Sequence, residues 1–277
     1  MKLALKLLID IIVILFLLGL ISCGQDSPFT KNVNTPASYS PIEITKDQIL
    51  RWSDNNLESG LPLKIASEVA DDLNHDEDDV AMEWNNVLPQ RTFFALPFPT
   101  VTNREKTSLN SYFDDEMGIY KSKNWFSELG PGVLAITQFF GVRRTQGGHE
   151  YIEFQHADII VNYRDYSFSS NMLDATTYDL PSVLLHEMGH FVGLRHEYTT
   201  TKSVMWPALR RNVSVRQLYP VDFQHLEDNY DGQEVLPMAV AISTPKTESV
   251  QGRFELRADG DCVHFISGQN VGTHHLQ

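Results

Sequence analysis

From His186 to His196 the chain reads His-Glu-Met-Gly-His-Phe-Val-Gly-Leu-Arg-His, and this stretch decides both the fold and the chemistry. On a helix, His186 and His190 lie four residues apart, so their imidazoles project from one face about one turn apart and can bind the same cation. Glu187 projects beside them toward the same metal. Gly193 can adopt the positive φ that ends a helix, and the turn that follows can bring His196 back to the other two imidazoles.

Three neutral imidazoles leave the fourth tetrahedral position of a zinc ion open to water, which is typical of a catalytic zinc site. We therefore expect one catalytic zinc ion bound by His186, His190 and His196, with one side accessible to solvent. Because the zinc then has three protein ligands, Glu187 is the candidate catalytic base. With about 3 to 6% of each required residue type, the five fixed positions should coincide by chance in roughly one chain of this length in ten thousand. Ordinary surface or core histidines are the alternative, and they have no reason to fall at this spacing.

Patterns on both sides of the motif predict the neighbouring elements. A capping aspartate and an early proline favour a helix start at Asp179, and two apolar segments separated by a Gly-Gly pair can form a hairpin. The expected elements are a helix from Asp179 to Gly193, a hairpin of Val133–Phe140 and Tyr151–Asn162, a helix from Pro220 to about Asp231, and a small appended hairpin of Arg253–Leu256 and Cys262–Ile266.

A second segment, Ser203-Val204-Met205-Trp206-Pro207, follows the third histidine. The long histidine motif followed by this segment resembles the metzincin metalloproteases, in which a tight turn places a methionine beneath the three imidazoles. The resemblance implies that Met205 is this Met-turn residue, which supports the ligand rings with an apolar side chain. Within the metzincins the sequence is most similar to the matrixins, because Pro207 stands where astacin-like enzymes have a metal-reaching tyrosine. Glu197, directly after the third histidine, is an astacin-like trait.

The resemblance covers residues 42–232, the expected catalytic domain. It implies an α+β fold: a metzincin-like, twisted, mixed five-stranded sheet with long helices and a small irregular C-terminal subdomain. A peptide substrate would lie across the cleft as an added strand on the sheet edge. By likeness to the matrixin substrate strand, Val133–Phe140 is the candidate edge, the alternative being an inner strand. Residues 233–277 have no family counterpart and form an extension of unknown role.

The N-terminus, residues 1–22, is predicted to be a lipoprotein signal peptide. Two lysines precede an apolar run from Ile11 to Ile21, which is too short to span a bilayer comfortably. Leu20-Ile21-Ser22-Cys23 resembles the bacterial lipobox, in which the signal is cut before the cysteine and that cysteine is acylated. The resemblance implies a lipid-anchored protein of the bacterial cell envelope that faces the periplasm or the exterior, and Gly24 favours sorting to the outer membrane. An uncleaved signal anchor over Leu3 to Ile21 is the alternative.

Composition narrows the possible partners. Residues 23–41 are rich in Ser, Thr, Asn and Pro and are predicted to be a flexible linker from the lipid. The 277-residue chain has 22 Lys and Arg against 36 Asp and Glu, a formal charge of -14, so we expect no nucleic-acid partner. Cys23 and Cys262 are too few for a cysteine-based metal cluster. The expected partners are a protein or peptide substrate, and the membrane through the N-terminal lipid.

Two further questions stay open in the sequence. Asp114, Asp115 and Glu116 could hold a Ca²⁺ ion through oxygen ligands, or they could form a solvated acidic turn. The leading function is a zinc-dependent endopeptidase tethered to the cell envelope. A zinc-dependent peptidoglycan amide hydrolase needs the same zinc and base, and a non-enzymatic surface lipoprotein that retains the fold is the third possibility. Glu187 argues against the third, because a pure binding module has no use for a base beside an open metal site.

Overall fold

The computed structural model describes residues 48–146, 149–231 and 248–258, together with the backbone of residues 261–266 and 269–275. All of them lie in one unit, which spans Ser40–Gln277. The predicted signal peptide, Cys23 and the predicted linker fall outside the described residues. Within the described part of the chain, no helix has both the length and the apolar character needed to cross a bilayer.

Eleven strands, five α-helices and one 3-10 helix (Leu109–Tyr112) make up the described secondary structure. The strands are β1 (Ile49–Arg51), β2 (Lys64–Ala66), β3 (Thr100–Val101), β4 (Gly118–Ser122), β5 (Val133–Gln146), β6 (His149–Asn162), β7 (Phe168–Ser169), β8 (Tyr178–Asp179), β9 (Ser249–Arg257), β10 (Asp261–Ile266) and β11 (Gln269–His275). The helices are α1 (Asp54–Leu57), α2 (Ser67–Asp72), α3 (Glu77–Asn85), α4 (Leu180–Phe191) and α5 (Pro220–Tyr230).

The centre of the fold is a mixed sheet in which five strands follow the order β3-β2-β4-β6-β5. Strands β3, β2, β4 and β6 run parallel to one another. Strand β5 is antiparallel to β6, and the two form the predicted hairpin. Strand β1 adds a parallel pair at the other end of β6. Ile159, Ile160 and Val161 of β6 are all fully buried, because this part of the sheet is covered on both faces. The predicted α+β class, with its twisted mixed sheet, is confirmed.

The sheet extends beyond the five predicted strands. Strand β9 pairs antiparallel with β5 from Val133 to Val142, and β10 and β11 continue the sheet outward from β9. The expectation that Val133–Phe140 forms an open edge is therefore wrong. An edge strand presents unpaired backbone groups, and here the C-terminal segment of the same chain pairs with them. The predicted C-terminal hairpin exists as the antiparallel pair of β9 and β10, but it joins the main sheet instead of standing apart from it.

Helix α4 crosses the middle of the molecule, and all twelve of its residues are buried. Its start is as predicted: the carboxylate of Asp179 accepts a hydrogen bond from the Ser182 N–H, and a proline occupies the first turn. The helix ends at Phe191, just before Gly193, which has a φ of 95°. The helix from Pro220 is also confirmed as α5. The helices are of modest length, with α4 the longest described.

Candidate active site and metal centre

The structure brings together the side chains of His186, His190 and His196. The Nε2 atom of His190 lies 3.0 Å from that of His186 and 2.9 Å from that of His196, and the third side of the triangle is 3.2 Å. Three nitrogens at about 2.0–2.1 Å from one tetrahedral zinc ion lie about 3.3–3.4 Å apart. The observed triangle therefore needs only a slight expansion to hold the ion. Among the described residues these three form the cluster that can bind a metal.

Hydrogen bonds on the far side of two rings fix the direction of their lone pairs. The Nδ1 atom of His186 lies 2.6 Å from the Val204 carbonyl oxygen, and that of His190 lies 2.8 Å from the Leu194 carbonyl oxygen. A carbonyl only accepts, so each Nδ1 carries the proton and each Nε2 carries a lone pair. Lone pairs that converge at such distances repel each other unless a cation lies between them. The donor set therefore fits a metal ion.

Burial keeps the His186 imidazole neutral. Burial lowers the pKa of His186 to about 4, although the hydrogen bond to the Val204 carbonyl acts in the opposite direction. The imidazole is therefore neutral at pH 7, as a metal ligand has to be.

The turn after α4 depends on Gly193. Its positive φ is strained for any residue with a Cβ, and a Cβ at this position would also collide with the carbonyl oxygen of Leu50 in β1. The Leu194 N–H donates to the Gly189 carbonyl at 2.9 Å, which closes the turn. The chain can then return His196 to the metal centre, as the sequence predicts.

Side chains from other elements cap the C-terminal end of α4, where the last carbonyls of a helix have no partner within it. The Trp52 indole N–H donates to the Phe191 carbonyl at 2.6 Å, the Tyr230 hydroxyl to the Val192 carbonyl at 2.9 Å, and the Asn229 amide to the Gly193 carbonyl at 3.1 Å. These donors come from the loop after β1 and from α5. They hold the residues between the second and third histidines in place.

Met205, the predicted Met-turn residue, is fully buried and packs against Gly189, the residue before His190. Gly189 in α4 makes room for it, since a Cβ there would collide with the Met205 sulfur and lie 2.8 Å from the Trp84 ring. The turn itself is fixed by Asp222 of α5, which accepts hydrogen bonds from the Ser203 hydroxyl and from the Val204 N–H, the latter at 3.2 Å. Asp222 thereby positions the Val204 carbonyl that orients His186.

Glu187 is fully buried beside the cluster. The Thr137 hydroxyl of β5 lies 2.6 Å from Oε2 of Glu187 and 2.9 Å from its carbonyl oxygen. Burial raises the pKa of Glu187 to about 8, a shift that Glu255 adds to and that the Thr137 hydroxyl and the Leu256 N–H oppose. The other carboxylate oxygen, Oε1, has no hydrogen-bond partner among the described residues. A bound dication would shift this equilibrium toward the carboxylate.

The predicted solvent-accessible side of the metal centre is covered. The exposed fractions of His186, His190 and His196 are 2%, 0% and 7%. The Phe254 ring of β9 stacks on His190, with centroids 4.3 Å apart and an interplanar angle of 8°. The expectation of an open face is wrong for this conformation, because a segment that the family resemblance does not include lies over the histidines.

The acidic residues considered for calcium make ion pairs. A carboxylate oxygen of Asp114 lies 2.8 Å from the Arg104 guanidinium, and Glu116 pairs with Arg104 and, at 3.1 Å, with Lys64. Asp115 occupies the turn between them with a φ of 66°. Calcium stays a prediction, and these contacts favour the alternative of an acidic turn neutralised by nearby cations.

Comparison with protein families relates part of the chain to the matrixins. The family model of the matrixins, Peptidase_M10, matches residues 120–231, from β4 to the end of α5. No curated protein matches the chain. The matched segment contains the histidine cluster, Glu187 and Met205. The match and the cluster together support a matrixin-like metalloprotease.

The sequence did not predict that four residues would contact or position the histidine cluster and Glu187. They are Thr137, Asp222, Phe254 and Leu256. A threonine directly after the apolar run Val133–Ile136 could have indicated Thr137, since a buried hydroxyl needs a partner. Asp222 stands at the start of a helix, where it reads as an ordinary cap. Nothing local in the sequence places Phe254 and Leu256 next to residues more than fifty positions earlier.

Proposed function

We propose that the protein is a zinc-dependent endopeptidase tethered to the cell envelope. The observation that carries the proposal is the triangle of three imidazole nitrogens, with sides of 2.9 to 3.2 Å, next to a buried glutamate. The matrixin match over residues 120–231 adds that the surrounding chain is similar to peptidases.

Each residue has a defined task in this proposal. His186, His190 and His196 would hold a zinc ion, which when bound would supply Lewis-acid activation of a water molecule and of the scissile carbonyl. Glu187 accepts the proton of the attacking water and later passes it to the leaving amide nitrogen. Thr137 holds the carboxylate at the required angle, with its hydroxyl 2.6 Å from Oε2. The Val204 carbonyl orients His186 from the opposite side of its ring.

Substitution of Glu187 distinguishes the role of the catalytic base from the role of the metal ligands. We expect Glu187→Gln and Glu187→Ala to retain one zinc per chain and to lose turnover by about 10²- to 10⁴-fold, because only proton transfer is removed. His190→Ala should lose the metal. The measurement pairs metal analysis with hydrolysis of casein. Activity of Glu187→Ala equal to the wild type would refute the role of this glutamate.

The substrate class needs a separate comparison. Purified casein and purified cell wall are each incubated with the full chain, with the Glu187→Gln variant as the blank. Cuts in casein alone support the endopeptidase. Release of peptides from the cell wall alone would favour the amide hydrolase. Zinc binding without hydrolysis of either, in the wild type and also in the variant Phe254→Ala/Leu256→Ala that uncovers the histidines, would favour a non-enzymatic lipoprotein.

The tether rests on the lipobox-like residues 20–23. We expect Cys23→Ser to move the protein from the membrane fraction to the soluble fraction of an expressing bacterium, since acylation needs the thiol. Mass analysis of the wild type should find a diacylglyceryl group on Cys23 at the mature N-terminus. Membrane association unaffected by Cys23→Ser would support the uncleaved signal anchor instead.

A further inference from the structure

Strand β9 follows β5 past the catalytic residues. The antiparallel register pairs Ile136 with Glu255 and Thr137 with Phe254. Thr137 is the residue that contacts Glu187, so β9 lies against the strand that carries part of the active site.

The opposite edge of β9 is also paired. The Arg257 N–H donates to the Pro207 carbonyl at 3.2 Å, and the Leu209 N–H donates to the Arg257 carbonyl at 3.0 Å. Ala208 and Arg257 form a parallel bridge. The chain from Pro207 to Leu209 directly follows the turn that contains Met205. Around Arg257, β9 thus occupies a slot between β5 and residues 207–209, both of which adjoin the histidine cluster. Farther back, at Gly252 and Arg253, the outer edge of β9 pairs with β10.

Side chains of β9 fill the site as well. Phe254 and Leu256 are each 1% exposed, and Phe254 stacks on the ligand His190. Glu255 points to the other face of the strand, where Arg253 and Arg257 pair with it at 3.0 and 3.2 Å. The alternation places two apolar side chains toward the metal centre and a neutralised ionic cluster away from it.

We propose that residues 249–258 are an internal ligand of the peptide slot, which they block until the strand is displaced. The slot takes one extended chain, so a substrate and β9 exclude each other. Because β9 belongs to the same molecule, a free peptide competes with a ligand whose effective concentration is on the order of millimolar. The inference rests on the proposed function, because that function identifies the slot as a peptide-binding site. Whether β9 occupies the slot can be measured without hydrolysis.

The test uses the full chain and a tripeptide hydroxamate, a short peptide with a zinc-chelating group. The variant Phe254→Ala/Leu256→Ala removes the two anchors of β9. Gln251→Ala, a half-buried position on the same strand, is the matched control. Calorimetry should show the double variant binding the hydroxamate at least about tenfold more tightly than the wild type and the control. A synthetic peptide with the sequence of residues 249–258 should compete with the hydroxamate for the double variant.

A second measurement needs no substitution. Hydrogen exchange of residues 249–257 in the wild-type, zinc-loaded chain should accelerate when the hydroxamate saturates the site, because the strand is displaced. Unchanged exchange with the hydroxamate bound, or equal affinity of the double variant and the wild type, would overturn the inference. Casein hydrolysis separates the two proposals. Tighter binding by the double variant without hydrolysis would refute the endopeptidase alone, whereas equal hydrolysis by both proteins would refute the blocking role of β9 alone.

Discussion

Thr137 shows how much a single hydroxyl can decide at the residue scale. Glu187 is fully buried, and the Thr137 hydroxyl lies within hydrogen-bond distance of its carboxylate. A displacement of the proposed base by a fraction of an ångström would remove its alignment with the attacking water. The hydroxyl therefore acts on the rate through the orientation of Glu187.

Thr137→Val keeps the shape and removes the hydrogen bond. A hydrogen bond to a charged group contributes about 1.5–3 kcal/mol, which corresponds to a fall in kcat of roughly 10- to 150-fold. We expect KM and zinc content to change little, because Thr137 contacts the base and no metal ligand. Thr137→Ser should restore most of kcat. A kcat of the valine variant within twofold of the wild type would contradict the positioning role.

At the element scale, α4 carries two of the proposed zinc ligands and the proposed base, and its neighbours set the position of the third proposed ligand. Gly193 ends the helix, and the Trp52, Asn229 and Tyr230 side chains bind the carbonyls at that end. The sequence predicted α4 from its cap, its proline and its glycine, which act locally. It could not predict the donors, because they come from elements far away in the chain.

Gly193→Ala tests this end of the helix. Alanine in a left-handed conformation costs about 1–2 kcal/mol, and the new methyl group would also collide with the Leu50 carbonyl. We expect a lower unfolding temperature and weaker zinc retention, because the turn that returns His196 shifts. Gly130→Ala is the control, since a Cβ there has nothing within 4 Å. Thermal unfolding and zinc titration of both variants provide the measurement, and equal behaviour of the two would count against the role of the turn.

At the scale of the whole molecule, the main difference from expectation is the strand beside β5. The hairpin of β5 and β6 was predictable, because its two apolar segments are close in sequence and share one turn. The alternating residues 253–256 also indicate a strand, but alternation says nothing about which distant strand it will pair with. Pairing of β9 with β5 is a long-range choice between open edges, and it converts the predicted accessible cleft into a covered one.

Prediction of the metal-binding residues therefore differs from prediction of whether the site is open or covered. The histidine motif fixes its own chemistry, because the spacing of His186 and His190 is a property of one helix. The state of the site depends on the rest of the chain. Phe254, which lies more than sixty residues after His190, decides whether that ring contacts solvent or another ring.

X-ray absorption at the zinc edge of the purified full chain tests the central claim, a single zinc ion held by three imidazoles, most directly. We expect one zinc per chain and three imidazole nitrogens at about 2.0–2.1 Å, and we expect the His196→Ala variant to lose one of them together with most of its zinc affinity. A chain that binds no zinc under these conditions, or a zinc ion with fewer than three imidazole ligands in the wild type, would contradict the account.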